Sequence, residues 1–308
     1  MAEEPSKKRR LPSAACPGTR VQRFQDIAFV NPMHSANINL SDWTKLKDRG
    51  ALAKSGAVYR SNDGALILRT GNAELIQSEA EFSANAKRRG FPVPELVDVG
   101  ILPSGQGYFI ELSVGDRTFA EILSREYAEG GGVSDGSFRG LTSMATRFLL
   151  AQIEYGNRQH DSSQLRDGIE LPNILAGGII DFERRFVAPA GYDVMRCLIF
   201  HRLWDFPLPD GTGTNTLWEF SRPQTSGYLQ EMDLICEQQG IPSVSSYLDG
   251  FLALNAIWAL CYERTEDQCR PQFWRWQWRK RVAVHCAERY LAGKPIDTGD
   301  FRRVGFEI

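Results

Sequence analysis

The chain predicts an α+β fold, with a small β-rich lobe carrying one helix ahead of a larger helical lobe. Three observations predict it. Gly56-Ala-Val-Tyr-Arg-Ser61 and Ala65-Leu-Ile-Leu-Arg69 flank Asn62-Asp-Gly64, the pattern of strand, tight turn, strand. A helical pattern from Ala73 to Arg89 stops at Gly90, with Pro92 and Pro94 beyond. From Val194 to the C-terminus the patterns are helical and loop-broken, with little strand signal.

The remaining elements follow in order. Ser41 reads as the N-cap of a short helix closed by Gly50. The helix after Arg69 carries an apolar stripe of Leu75, Phe82 and Ala86, and Glu79 falls on the same stripe. A carboxylate on a buried face needs a cationic partner, for which Arg69 is the nearest candidate; a position at the stripe's edge is the other reading. Gly107-Tyr-Phe-Ile-Glu-Leu112 is a strand, Gly115-Asp-Arg117 a turn, and Thr118 the cap of a helix from Phe119 to Leu123. Glu126 to Gly136, with three consecutive glycines, reads as a surface loop. Leu141, Met144, Ala145, Phe148, Leu149 and Ile153 then predict a buried amphipathic helix from Phe138 to about Asn157.

Composition bounds the function. The 308 residues suffice for one large domain or two lobes. A net charge of −2 points to neither a nucleic-acid partner nor an anionic membrane surface. No apolar run is long enough to span a bilayer, and the N-terminus lacks the apolar centre of a secretory signal. Cys16, Cys197, Cys236, Cys261, Cys269 and Cys286 are scattered without zinc-like spacing, as free thiols in a reducing compartment would be. The chain therefore reads as a cytoplasmic protein. Residues 1–20 read as a disordered tail, in which Lys7-Lys8-Arg9-Arg10 is either a nuclear-import signal or an ordinary basic cluster. Near the other end, Trp274, Trp276 and Trp278 alternate with basic residues. That strip is read either as a stacking surface for bases or as one helix between Pro271 and Gly293 whose Trp274, Trp278, Val282 and His285 share a core-packing face with the basic residues outermost.

The stretch Asn173-Ile-Leu-Ala-Gly-Gly-Ile-Ile-Asp181 carries the strongest chemical signal. Two β-branched runs around a glycine turn predict a hairpin, and a turn centred on Gly177 sets Asn173 opposite Asp181. Side chains directly opposite on one face stand about 5 Å apart at Cβ. An amide oxygen and a carboxylate at that separation suit one hard cation such as Mg²⁺. An ordinary surface hairpin with two polar ends is the alternative.

In this order, the motifs resemble the aminoglycoside phosphotransferase and choline kinase-like group, relatives of the protein kinases. The resemblance covers roughly Ser55 to Asp193 and implies a two-lobed, protein-kinase-like fold. It implies lobe boundaries at 21–114 and 115–308. Arg69 would take the place of the phosphate-binding base, and Glu79 that of its helix partner. Tyr108 to Val114 would be the hinge that meets the adenine, with Glu111 and Ser113 as its nucleotide-binding positions. Asn173 and Asp181 would be the metal ligands, and Gly191-Tyr-Asp193 a structural segment. The activity implied is an ATP- and Mg²⁺-dependent transfer of phosphate to a hydroxyl of a small molecule, with no nucleic-acid or membrane partner.

One position departs from the group. Its catalytic Asp stands five residues before the metal-binding Asn, where this chain has Gly168 within Arg166-Asp167-Gly168. A one-residue shift in extended chain turns a side chain to the opposite side, and Gly168 can bulge the loop to restore the aim. Asp167 is then the general base, with Arg166 keeping it ionised. Otherwise the chain is a catalytically impaired relative that binds nucleotide or a partner.

Overall fold

The computed structural model describes residues 34–35, 38–48, 56–159, 166–167, 171–180, 183–184, 190–204, 218–266 and 273–306. The N-terminal tail with Lys7 to Arg10, the segment from Gly50 to Ser55, and Asp181 lie outside them. The first part of the chain builds a six-stranded sheet from β1 (His34–Ser35), β2 (Trp43–Asp48), β3 (Ala57–Ser61), β4 (Leu66–Gly71), β5 (Leu96–Ile101) and β6 (Gly107–Leu112). The spatial order is β1-β5-β6-β4-β3-β2, with β1 parallel to β5 and every other pair antiparallel. The one helix of this part, α1 (Ala73–Arg88), lies between β4 and β5 in sequence.

The β3–β4 hairpin forms as its turn residues predict. Asp63 accepts from the Ser61 hydroxyl at 2.6 Å and the Ala65 N–H at 3.0 Å, which holds its carboxyl below the usual range. The expected helix after Ser41 does not form. A single 3-10 turn at Leu40–Asp42 is capped by Asn39, and Trp43–Asp48 runs on as β2 against β3. Trp43 packs beside Leu68 and Tyr108, so pairing and burial override the local cap signal.

Alternation gives the sheet two chemically different faces. Leu68, Tyr108 and Ile110 point to one side with Leu102, Trp43 and Tyr59. Tyr108 is fully buried there, and its hydroxyl donates to Asp98 at 2.8 Å; burial pushes the phenol well above its usual range. The opposite face carries Phe109, Arg69 and Glu111 and receives α1 through Ile76 and Ala80. The expected stripe of α1 is therefore rotated. Leu75 is 46% exposed, while Ile76 and Ala80, one turn apart, meet Val99 and Phe109. Asn72 caps the helix by accepting from the N–H groups of Glu74 and Leu75.

The helical part comprises α2 (Phe119–Gly130), α3 (Asp135–Gln159), α4 (Tyr192–Trp204), α5 (Arg222–Gln238), α6 (Leu248–Glu266), α7 (Phe273–Leu291) and α8 (Asp300–Phe306). Thr118 and Glu121 form a reciprocal capping box at the start of α2. That helix extends past Leu123 to Gly130, so most of the expected surface loop is helical. The carboxylate of Glu126 explains why the connection is so tight: it accepts from Ser134 N–H and Ser137 Oγ at the start of α3. α3 buries all six residues of its predicted stripe, and Phe148 meets Phe91 edge-on at 5.3 Å. On α7, Trp278 and Val282 are buried as a core-packing helix requires; Arg279, expected on the outer face, is buried too and donates to the Ala259 carbonyl at 3.2 Å.

The buried thiols have a measurable consequence. Burial pushes Cys197 and Cys286 up to about 12. A thiol that stays protonated in the folded chain while its unfolded counterpart ionises near 9 costs stability as pH rises. Resistance to guanidinium is accordingly expected to fall progressively between about pH 9 and pH 12. Both thiols are expected to react with a disulfide reagent at neutral pH only after unfolding, as a stopped-flow comparison of native and denatured protein will read.

Candidate active site

The hairpin predicted around Gly177 exists, and its position is set by backbone bonds. Ile174 pairs with Ile179, Leu175 N–H bonds to the Gly178 carbonyl, and Ile180 N–H bonds to the Asn173 carbonyl at 2.8 Å. The loop is therefore the two residues Ala176-Gly177, and the residue opposite Asn173 is Ile180. The register expected of a loop centred on Gly177, which would set Asn173 across from Asp181, is therefore not the one formed, because the turn is a residue shorter; Asp181 itself lies outside the described residues. Asn173 closes a 3-10 turn at Leu171–Asn173 and is half-buried.

Three further bonds dock this hairpin beneath the segment that leaves β6. Phe119 N–H donates to the Ile174 carbonyl at 2.7 Å, Gly177 N–H to Val114 at 2.8 Å and Ile179 N–H to Pro92 at 2.7 Å. The two glycines are required by proximity. A Cβ on Gly177 would lie 2.8 Å from the Val114 carbonyl oxygen, and one on Gly178 would lie 3.1 Å from that of Pro92. Within the segment expected to be the hinge, Ser113 N–H donates to Ala65 and Leu112 N–H to Glu95, at 2.8 and 2.9 Å.

At the hairpin's open end, β7 (Arg166–Asp167) pairs antiparallel with β8 (Glu183–Arg184), Asp167 standing opposite Glu183. Residues 168–170 and 181–182, which join this ladder to the Asn173 hairpin, lie outside the described residues. Behind it, Gln152 of α3 donates to Asp193 at 3.0 Å and accepts from Gly191 N–H at 3.4 Å, tying the start of α4 to the central helix. Asp193 is fully buried, in keeping with the structural part its segment was expected to play.

On the sheet, Arg69 and Glu111 form a buried ion pair with Nε–Oε1 at 3.0 Å and side chains 7% and 6% exposed. The guanidinium carbon lies 5.8 Å from the Phe109 ring centre. Sequence reasoning brought Glu111 to the site as a hinge position, and the structure gives its side chain this second role. Glu79 is half-buried on α1. A cavity of about 570 Å³ lies elsewhere, between α4, α5, α6 and residues 295–300. Its walls, among them Leu198, Ile199, Leu229 and Leu252, include none of the predicted site residues.

A β-sheet bearing one helix, a hinge, a hairpin docked under that hinge and a following helical part appear in one order. The fold is α+β, a sheet with one helix followed by a helical part among the described residues. No family model matches the chain, and no curated protein matches it. Among solved structures, it is similar to the aminoglycoside phosphotransferase APH(3'')-Id from Streptomyces rimosus, at 10% identity over 68% of this chain and 90% of that one, with a TM-score of 0.38. It is also similar to an aminoglycoside-3'-phosphotransferase of type VIII, at 14% identity over 61% and 84%, with a TM-score of 0.37. A third similar structure is the Cydia pomonella granulovirus kinase PK-1, at 12% identity over 44% and 49%, with a TM-score of 0.31. Among the described residues, no helix is long and apolar enough to cross a membrane.

Proposed function

We propose that this protein is an ATP- and Mg²⁺-dependent phosphotransferase acting on a hydroxyl of a small molecule. The observation that carries the reading is the docked hairpin. In support of it, the hairpin begins at Asn173 and its tip is bonded to Val114, and the sequence order Asp167, Asn173, Asp181 is that expected of a base and two metal ligands. The donor set suits Mg²⁺: an amide oxygen and a carboxylate are both hard oxygen ligands, and this cation takes few protein groups when nucleotide phosphates complete its shell. Asn173 and Asp181 would hold it, and when bound it would neutralise phosphate charge.

The chain's own residues supply the rest. Arg69, on the sheet, would steady the α- and β-phosphates. Asp167 accepts the proton of the acceptor hydroxyl as that oxygen bonds to the γ-phosphorus. The bond from phosphorus to the β–γ bridging oxygen breaks, and ADP leaves with the electron pair. A nucleotide-binding relative without turnover is the second reading, favoured by Gly168 at the fifth position before Asn173.

Titration calorimetry and an ADP-release assay on the full chain test the proposal. Binding of ATP that strengthens with Mg²⁺, together with Mg²⁺-dependent release of ADP in the presence of pooled small alcohols, is the expected result. Binding without release across the pool would favour the second reading. No nucleotide binding at all would sink both.

A further inference from the structure

We infer that Glu111 is the positioning residue for Arg69, and that it aims the guanidinium from the sheet itself. This rests on the phosphotransferase reading and deepens it by naming what orients the phosphate-binding cation. Arg69 and Glu111 lie on adjacent strands whose register pairs Arg69 with Phe109 and Ile67 with Glu111. The two side chains are therefore diagonal neighbours on one face, within reach across the ladder. Nε donates to Oε1 at 3.0 Å, and Phe109 underlies the cation.

The Arg69 Nε–H donates to Glu111, so the carboxylate fixes the plane of the guanidinium fork. Both strands are held in one sheet by paired registers on either side. The aim of the cation is thus tied to β6, the strand that also leads into the hinge.

The test measures affinity for Mg²⁺-AMP-PNP and for adenosine, which lacks phosphates, in the unmodified chain, Glu111→Gln, Arg69→Met and the double variant. Glu111→Gln keeps an acceptor oxygen but loses the charge that fixes the fork. It is expected to weaken AMP-PNP about tenfold or more while leaving adenosine within about twofold. On the Arg69→Met background the same change is expected to add nothing, since there is no cation left to aim. Should Glu111→Gln fail to fold, Glu111→Asp, which draws the carboxylate back by one methylene, is expected to show the same selective loss. Equal weakening of adenosine and AMP-PNP, or additive effects in the double variant, would overturn the inference while leaving the phosphotransferase reading intact. Absence of AMP-PNP binding by the unmodified chain would overturn both.

Discussion

Asp167→Asn is expected to slow Mg²⁺-dependent phosphate transfer by about 10²–10⁴-fold while leaving nucleotide affinity within a few-fold. The substitution preserves shape and hydrogen-bonding capacity and removes only the ability to take a proton. Its backbone sits in the β7–β8 ladder opposite Glu183, so the strand pairing itself survives the change. The expected split distinguishes a base from a ligand. Asp181→Ala, which deletes a proposed metal oxygen, is expected to abolish turnover and to remove the Mg²⁺ dependence of ATP binding as well. Single-turnover quench experiments beside calorimetry separate the two. Unchanged turnover in Asp167→Asn would show that the displaced Asp has no part in proton transfer, and that the residue shift at Gly168 moved the base elsewhere.

Gly56→Ala is expected to destabilise the protein by about 3 kcal/mol, at the upper end of overpacking costs. A Cβ there would lie 2.1 Å from the Thr70 carbonyl oxygen, 3.0 Å from its carbon and 3.1 Å from the Gly71 Cα. All three are backbone atoms of β4, so no side chain can swing aside. The start of β3 would have to separate from β4, breaking the 3.0 Å bond from Ala57 N–H to Thr70 Oγ1. Because Thr70 follows Arg69, the displacement would also disturb the proposed phosphate-binding cation. Guanidinium denaturation of Gly56→Ala beside Gly90→Ala, whose added Cβ meets no atom within 4 Å, separates steric crowding from the strain of a positive φ. Equal losses in the two would count against crowding as the cause.

Much of the fold was legible from local signals. The β3–β4 hairpin, α1, the Thr118 cap and the stripe of α3 each follow from periodicity, caps and turn residues acting within a few positions. Reading failed where a neighbour distant in sequence decided. Ser41 carries a good cap signal, but Trp43–Asp48 has a strand partner, so it became β2. Leu75 fits a helical stripe, yet the sheet beneath α1 selected the face with Ile76 and Ala80. Gly177 and Gly178 announced a turn; that both also touch backbone at Val114 and Pro92 had no signal of its own.

The candidate site divides along the same line. Asn173 and the two glycines could be chosen from residue type and spacing, because a polar residue at a hairpin end is a local pattern, whereas the phosphate-binding part given to Arg69 was implied by the resemblance. The Arg69–Glu111 ion pair could not, since its partners are 42 residues apart and meet only once β4 and β6 share a register. Nor could the register that sets Ile180 opposite Asn173, which hangs on a two-residue rather than a three-residue loop. By itself the sequence determined most of the strands and helices and which residue types could do chemistry, since propensity and periodicity act along the chain. Tertiary structure alone decided which side chains meet, because strand pairing and helix docking join residues that nothing local connects.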